Sequence, residues 1–193
     1  MLDAAAHVMR TRGMARATTK EIAKAAGYSE AALYKHFRDK TEIFLTVLTE
    51  RVPSTLGAVL ANLVQQAGEE SVQDTLHELA RAALDFYNET FVMAASVFSE
   101  PQLLAAHRAA VLERDAGPHR ISETVANYIA AEQNLGRIRA DVDSRSTAAL
   151  LLGACFQHAF LSRFADTSMD DQTVDHTAAG LAQTLFRGLD PQS

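Results

Sequence analysis

Apolar residues recur along this chain at three- and four-residue intervals, and the runs break where glycine, proline or clustered polar residues stand. From Leu2, the series Leu2, Ala5, Ala6 and Met9 follows i, i+3, i+4, i+7, the repeat of a helix with one buried face. Alanine and leucine, both strong helix formers, recur throughout, and only four prolines and nine glycines interrupt 193 residues. Residues 71–92, 101–114, 119–134, 144–165 and 171–188 read as helices, and Pro53, which lacks a backbone donor, kinks or restarts the one around it. The fold class is all-α. No internal repeat or low-complexity segment is present.

A hydrophobic fraction of 48% and a charged fraction of 22% are ordinary for a globular protein. Cys155 is the only cysteine, which excludes an intramolecular disulfide and fits a reducing compartment. Asp3 and His7 interrupt the segment where a signal peptide needs an apolar core. The longest apolar run, residues 146–161, is broken by Gln157 and His158, so no membrane partner is expected. The expected location is the cytoplasm.

The net charge of -6 hides an asymmetry. All four lysines lie in the first 40 residues; residues 1–50 hold eight Lys and Arg against six Asp and Glu, and the remainder ten against eighteen. One end is suited to a polyanion that the other end repels.

Within the basic end, Thr18 and Glu21 have capping-box spacing ahead of a short helix with Ile22, Ala23 and Ala26 on its inner face. Gly13 closes the helix before it and Gly27 stops it, and Ser29 caps a third helix expected to run through EAALYKHF. Leu33 and Phe37, four apart, point inward, while Glu30, Ala31, Tyr34 and Lys35 lie on the other side. Two short helices joined through a glycine turn, the second with small residues at its front, form a helix-turn-helix.

The stretch TTKEIAKAAGYSEAALYKHFRDKTEIF closely resembles the DNA-binding motif of the TetR/AcrR family of bacterial transcriptional regulators, and LDAAAHVMRTRGM resembles its first helix. The resemblance spans about residues 2–48, and residues 50–193 match in layout alone. It implies that Thr18, Thr19 and Lys20 contact phosphates and that Ser29, Glu30 and Ala31 lie at the major groove. It further implies that Tyr34, Lys35 and His36 hold the DNA backbone and that Lys40 meets a phosphate. Members usually carry a basic leader, whereas this sequence begins at the helix. Many relatives have Lys where this chain has Glu30, which is either a specificity residue accepting from a cytosine amino group or a solvated charge. His36 either contacts phosphate or makes a structural hydrogen bond.

No HExxH pattern, close Cys–His pair, glycine-rich phosphate loop or GxSxG is present, so neither an enzyme nor a cofactor or metal site is expected. The domains expected are a three-helix DNA-binding domain over residues 1–45 and a larger helical bundle over 46–193 for ligand binding and dimerisation.

In that bundle the helix SRSTAALLLGACFQHAFLSRF is apolar around nearly its whole circumference, and its own domain covers only part of it. A partner subunit supplies the rest, with Leu151, Cys155 and Leu161, and Ala178, Leu181 and Leu185 on the last helix, as interface residues. Two such helices from each copy form a four-helix bundle, as the resemblance also implies. A homodimer then sets two recognition helices ~34 Å apart on a pseudo-palindromic double-stranded DNA operator.

Residues 86–98 gather Phe86, Tyr87, Phe91, Met93 and Phe98, a set suited either to core packing or to a mostly apolar pocket for a small apolar or amphipathic effector. His107, Tyr128 and His158 are its expected polar contacts. The function expected is a ligand-responsive regulator, a repressor released by its effector. The alternative is a DNA-binding dimer whose larger domain is a protein-interaction module.

Overall fold

The computed structural model describes residues 1–50, 55–113, 117–167 and 169–191, apart from the side chains of Ala15 and of residues 48–50; the break expected at Pro53 lies outside them. Every regular element among these residues is a helix. In chain order they are α1 (Leu2–Arg16), α2 (Thr19–Ala25), α3 (Glu30–Leu33), α4 (Lys40–Glu50), α5 (Thr55–Asn62), α6 (Val72–Ser99), α7 (Pro101–Glu113), α8 (Pro118–Asn134), α9 (Ser144–Phe164) and α10 (Asp171–Leu189). The chain forms two compact units, one of residues 1–53 and 89–115, the other of 54–88 and 116–193. The first unit thus takes in 89–115 as well as the segment assigned to DNA binding.

In the first unit Ala5, Met9, Ile22, Leu33, Ile43 and Phe44 form a core with Met93, Val97 and Leu103. Gly13 interrupts α1 at the position where the sequence places a helix end. It kinks the helix at φ 72° and ψ 166°, and one further turn follows to Arg16. The kink frees the Met14 N–H from helical bonding, and Ser96 Oγ accepts it at 3.0 Å while donating to the Val92 carbonyl at 3.0 Å. A Cβ at position 13 would lie 3.3 Å from that same oxygen.

In the second unit Leu56, Leu63, Leu76, Leu79, Tyr128, Ile129, Leu151, Cys155 and Ala178 share one core. Asp143 and Asp170 cap α9 and α10, accepting from Ser146 N–H at 2.7 Å and Thr173 N–H at 2.8 Å. These bonds hold both carboxyls below the usual aspartate range. Glu132, fully buried on α8, accepts from the Gly68 N–H at 3.1 Å and faces Arg137 Nε at 3.4 Å, so its charge is compensated from two loops.

Candidate nucleic-acid interface

The turn between α2 and α3 is built from backbone bonds. Gly27, at φ 74°, donates to the Lys24 carbonyl at 3.2 Å, and Tyr28 N–H reaches the Ala23 carbonyl at 2.9 Å. These two bonds make a Schellman motif, which needs a left-handed residue at the position glycine holds. Ahead of α2 the expected capping box is present: Glu21 N–H donates to Thr18 Oγ1, and Thr18 N–H to Glu21 Oε2, both at 3.1 Å. The Thr18 bonds, aided by Arg12, hold the Glu21 carboxyl below its usual range. Thr18, expected at a phosphate, thus has its side chain engaged in the cap.

Ser29 Oγ accepts from Ala32 N–H at 3.2 Å and opens α3, which is shorter than the sequence suggested. The α-helix stops at Leu33. Lys35 and His36 N–H bond three residues back, to Ala32 at 3.3 Å and Leu33 at 3.0 Å, tightening the chain into a turn that leaves Phe37 half-buried. Leu33, fully buried, is the anchor expected, and Glu30, Ala31, Tyr34, Lys35 and His36 are exposed.

Three of these groups are joined in a way the sequence did not reveal. Tyr34 Oη donates to Thr19 Oγ1 at 3.3 Å, and Thr19 Oγ1 donates to Glu30 Oε1 at 2.5 Å. Lys20 is exposed, while Lys40 is half-buried as the first residue of α4. Lys35, His36, Ala32 and Tyr28 line an open hollow of about 420 Å³ with Leu2 and Phe37. This face can offer cations, one ordered carboxylate and a partly apolar hollow to a groove of DNA.

The residues expected at an effector pocket are divided between the units. Phe86, Tyr128 and His158 belong to the second, and Phe91, Met93, Phe98 and His107 to the first, because α6 passes from one unit to the other at Asn88 and Glu89. Met93 and Tyr128 are core residues, whereas Phe98 is 72% exposed and His158 is exposed. Tyr128 has its hydroxyl pushed up to about 12 by burial. His107 is half-buried, and burial lowers its pKa. Tyr87, gathered with these residues in the sequence, packs edge-on against Phe86 and Phe156 at ring distances of 5.4 and 5.5 Å.

The interface residues expected on α9 and α10 also divide. Leu151, Cys155 and Ala178 lie in the chain's own core; the Cys155 thiol sits 3.6 Å from the Ala80 carbonyl and is pushed up to about 12 by burial. An all-round apolar helix has an inner and an outer face, and the sequence alone does not say which is which. The outer face of α9 carries Leu150, Phe156, Phe160, Leu161 and Phe164, with Leu150 66% and Phe164 81% exposed and the rings of Phe160 and Phe164 stacked at 6.0 Å. Leu181 and Leu185 on α10 are half-buried and, with Val142, Leu150, Leu151 and Ala154, line an open groove of about 400 Å³.

Residues 1–47, the segment that forms this face, match the family model of the tetR family of bacterial regulatory proteins. The chain carries a tetR-family domain at its N-terminus. Its fold follows that of family members along the whole length: a protein from Mesorhizobium loti assigned to the TetR-family transcriptional regulators superposes with a TM-score of 0.75 at 19% identity, over 98% of this chain and 94% of that one. The FadR regulator of Bacillus subtilis, solved in complex with stearoyl-CoA, gives a TM-score of 0.68 at 15% identity, over 97% and 96%. Among curated proteins, the nucleoid occlusion factor SlmA of Haemophilus influenzae is 37% identical over 100 residues, which are 49% of this chain and 44% of that protein. The chain therefore matches less than half the length of that relative. Among its described residues no helix is long and apolar enough to cross a membrane.

Proposed function

We propose that this protein is a dimeric, ligand-responsive repressor that binds a pseudo-palindromic operator and leaves it when a small apolar effector binds. The observation that carries the DNA half is the capped α3 with its exposed Glu30, Ala31, Tyr34 and Lys35, set in the basic end of an acidic chain. The reading assigns DNA contact to residues 1–45, with Thr18, Thr19, Lys20 and Lys40 beside α3, and assigns sensing and dimerisation to residues 46–193.

Dimerisation is supported by the exposed large apolar residues along the outer stripe of α9, the kind of surface that marks an interface. The reading places Leu161 of α9 and the half-buried Leu181 and Leu185 of α10 at the interface. The effector half is supported by kinship of fold with a regulator that holds stearoyl-CoA. An effector acts only by binding the DNA-incompetent arrangement more tightly than the competent one.

A second reading is favoured by the curated relatives, which are nucleoid occlusion factors: a DNA-binding dimer whose larger domain acts on a protein partner. Thermal shift with an acyl and aromatic ligand library separates the two. A specific ligand at a hundredfold its Kd stabilises the chain by about 2.7 kcal/mol. Selection of duplexes from random DNA, followed by titration at several salt concentrations, tests both. A palindromic winner is expected, with a salt slope that falls by about one in Lys35→Ala. Absence of any enriched sequence would refute DNA reading.

A further inference from the structure

We propose that Glu30 selects cytosine within the half-site and that Thr19 is the residue that positions it. This rests on the DNA-reading function proposed above. Glu30 is the first residue of α3 and is exposed. A carboxylate at that place is costly for affinity, because it lies where phosphate charge is dense. Its setting is not that of a loose surface charge. Thr19 Oγ1 donates its one proton to Glu30 Oε1 at 2.5 Å, and Tyr34 Oη in turn donates its one proton to Thr19 Oγ1 at 3.3 Å. Among the described residues Glu30 Oε2 has no hydrogen bond, so one oxygen is anchored and the other is left to accept.

The chemistry of base edges then fixes the choice. A carboxylate only accepts, so it needs an amino donor in the major groove, and cytosine N4 and adenine N6 are the two available. Adenine places the N7 acceptor beside N6, guanine shows only acceptors, and thymine shows O4 and a methyl. Cytosine alone offers the donor with no acceptor on its own major-groove edge, and its N4 pairs with a carboxylate.

The same hydrogen bonds redistribute the other roles. While they hold, the hydroxyl protons of Thr19 and Tyr34 are spent on ordering Glu30 rather than on phosphate. Phosphate binding falls to the lysines, of which Lys20 and Lys35 are exposed.

The test is duplex selection followed by titration of the winner and of the three single-base changes at each position. It is run on the wild-type chain and on Glu30→Gln, Glu30→Ala, Thr19→Val and Thr19→Ser, with melting temperatures checked for each. Wild type should require cytosine at one position per half-site, by roughly 5- to 150-fold over the other bases. Glu30→Gln should move that preference to adenine, whose N6 and N7 suit an amide, and Glu30→Ala should abolish it. Thr19→Val should weaken the preference without changing the salt slope, and Thr19→Ser, which keeps the hydroxyl, should restore it. An affinity change of equal size on every duplex in the Glu30 variants, with the preferred sequence intact, overturns the proposal and leaves DNA reading standing. If the wild type enriches nothing, both fall together.

Discussion

Replacing Gly13 by alanine isolates the kink in α1, where three effects can be weighed. Gly13 occupies φ 72° and ψ 166°, a region other residues enter at a cost of order 1–3 kcal/mol. The new Cβ would sit 3.3 Å from Ser96 Oγ and 3.6 Å from Val92 Cγ1, so Ser96 must yield. Ser96 Oγ is also the acceptor for the Met14 N–H, and disturbing that bond costs about 0.5–1.5 kcal/mol. Against these, alanine restricts the unfolded chain and recovers about 0.4–1 kcal/mol. The net loss is about 2 kcal/mol, which for a chain of this size lowers Tm by roughly 4–8 °C. Urea and thermal unfolding followed by circular dichroism measure it. Gly180→Ala in α10, where a Cβ meets nothing within 4 Å, is the control and should be stabilising by about 0.5–1 kcal/mol. Placing Gly13→Ala on a Ser96→Ala background should shrink its cost, because the crowded oxygen is gone. A Gly13→Ala chain as stable as wild type would refute the assignment of the kink to glycine's conformational freedom.

Phe164→Asp, on a side chain 81% exposed, should leave helicity unchanged and convert a dimer to monomer in sedimentation equilibrium. The Cys155 thiol, pushed up to about 12, should resist iodoacetamide at pH 8 in the folded chain and react fully in urea. His107 has its pKa depressed by burial from an ordinary value of 6.5, so the folded state favours the neutral ring. Stability from this group is present above pH 6.5 and is lost as pH falls from there toward the folded value. His107→Leu should flatten the stability profile between pH 7 and 5.

Much of the helical layout was legible, because helix signals are local. Thr18, Ser29 and Gly27 mark their termini by chemistry that acts within four residues, and each does in the structure what its type suggests. The length of α3 was not, since tightening after Leu33 is a choice between i−3 and i−4 bonds that side-chain spacing does not record. Facing was the other gap. Leu150 and Leu151 are neighbours of equal hydrophobicity, yet one is 66% exposed and the other is core, and that difference is set by where α8 and α6 lie. The Tyr34, Thr19 and Glu30 bonds also escaped, because they join residues 11 and 15 positions apart across the turn.

The brevity of α3 bears on how such a reader changes over generations. A single turn has no helical stability of its own, since nucleation costs more than one turn returns. What holds it is the Ser29 cap, the Gly27 turn and the buried Leu33. The exposed positions 30, 31, 34 and 35 contribute little to folding, and substitutions at such sites usually alter stability by less than about 0.5 kcal/mol. On the proposed reading, mutation can therefore rewrite the sequence recognised while the scaffold beneath is untouched, and an operator and its reader are free to drift together.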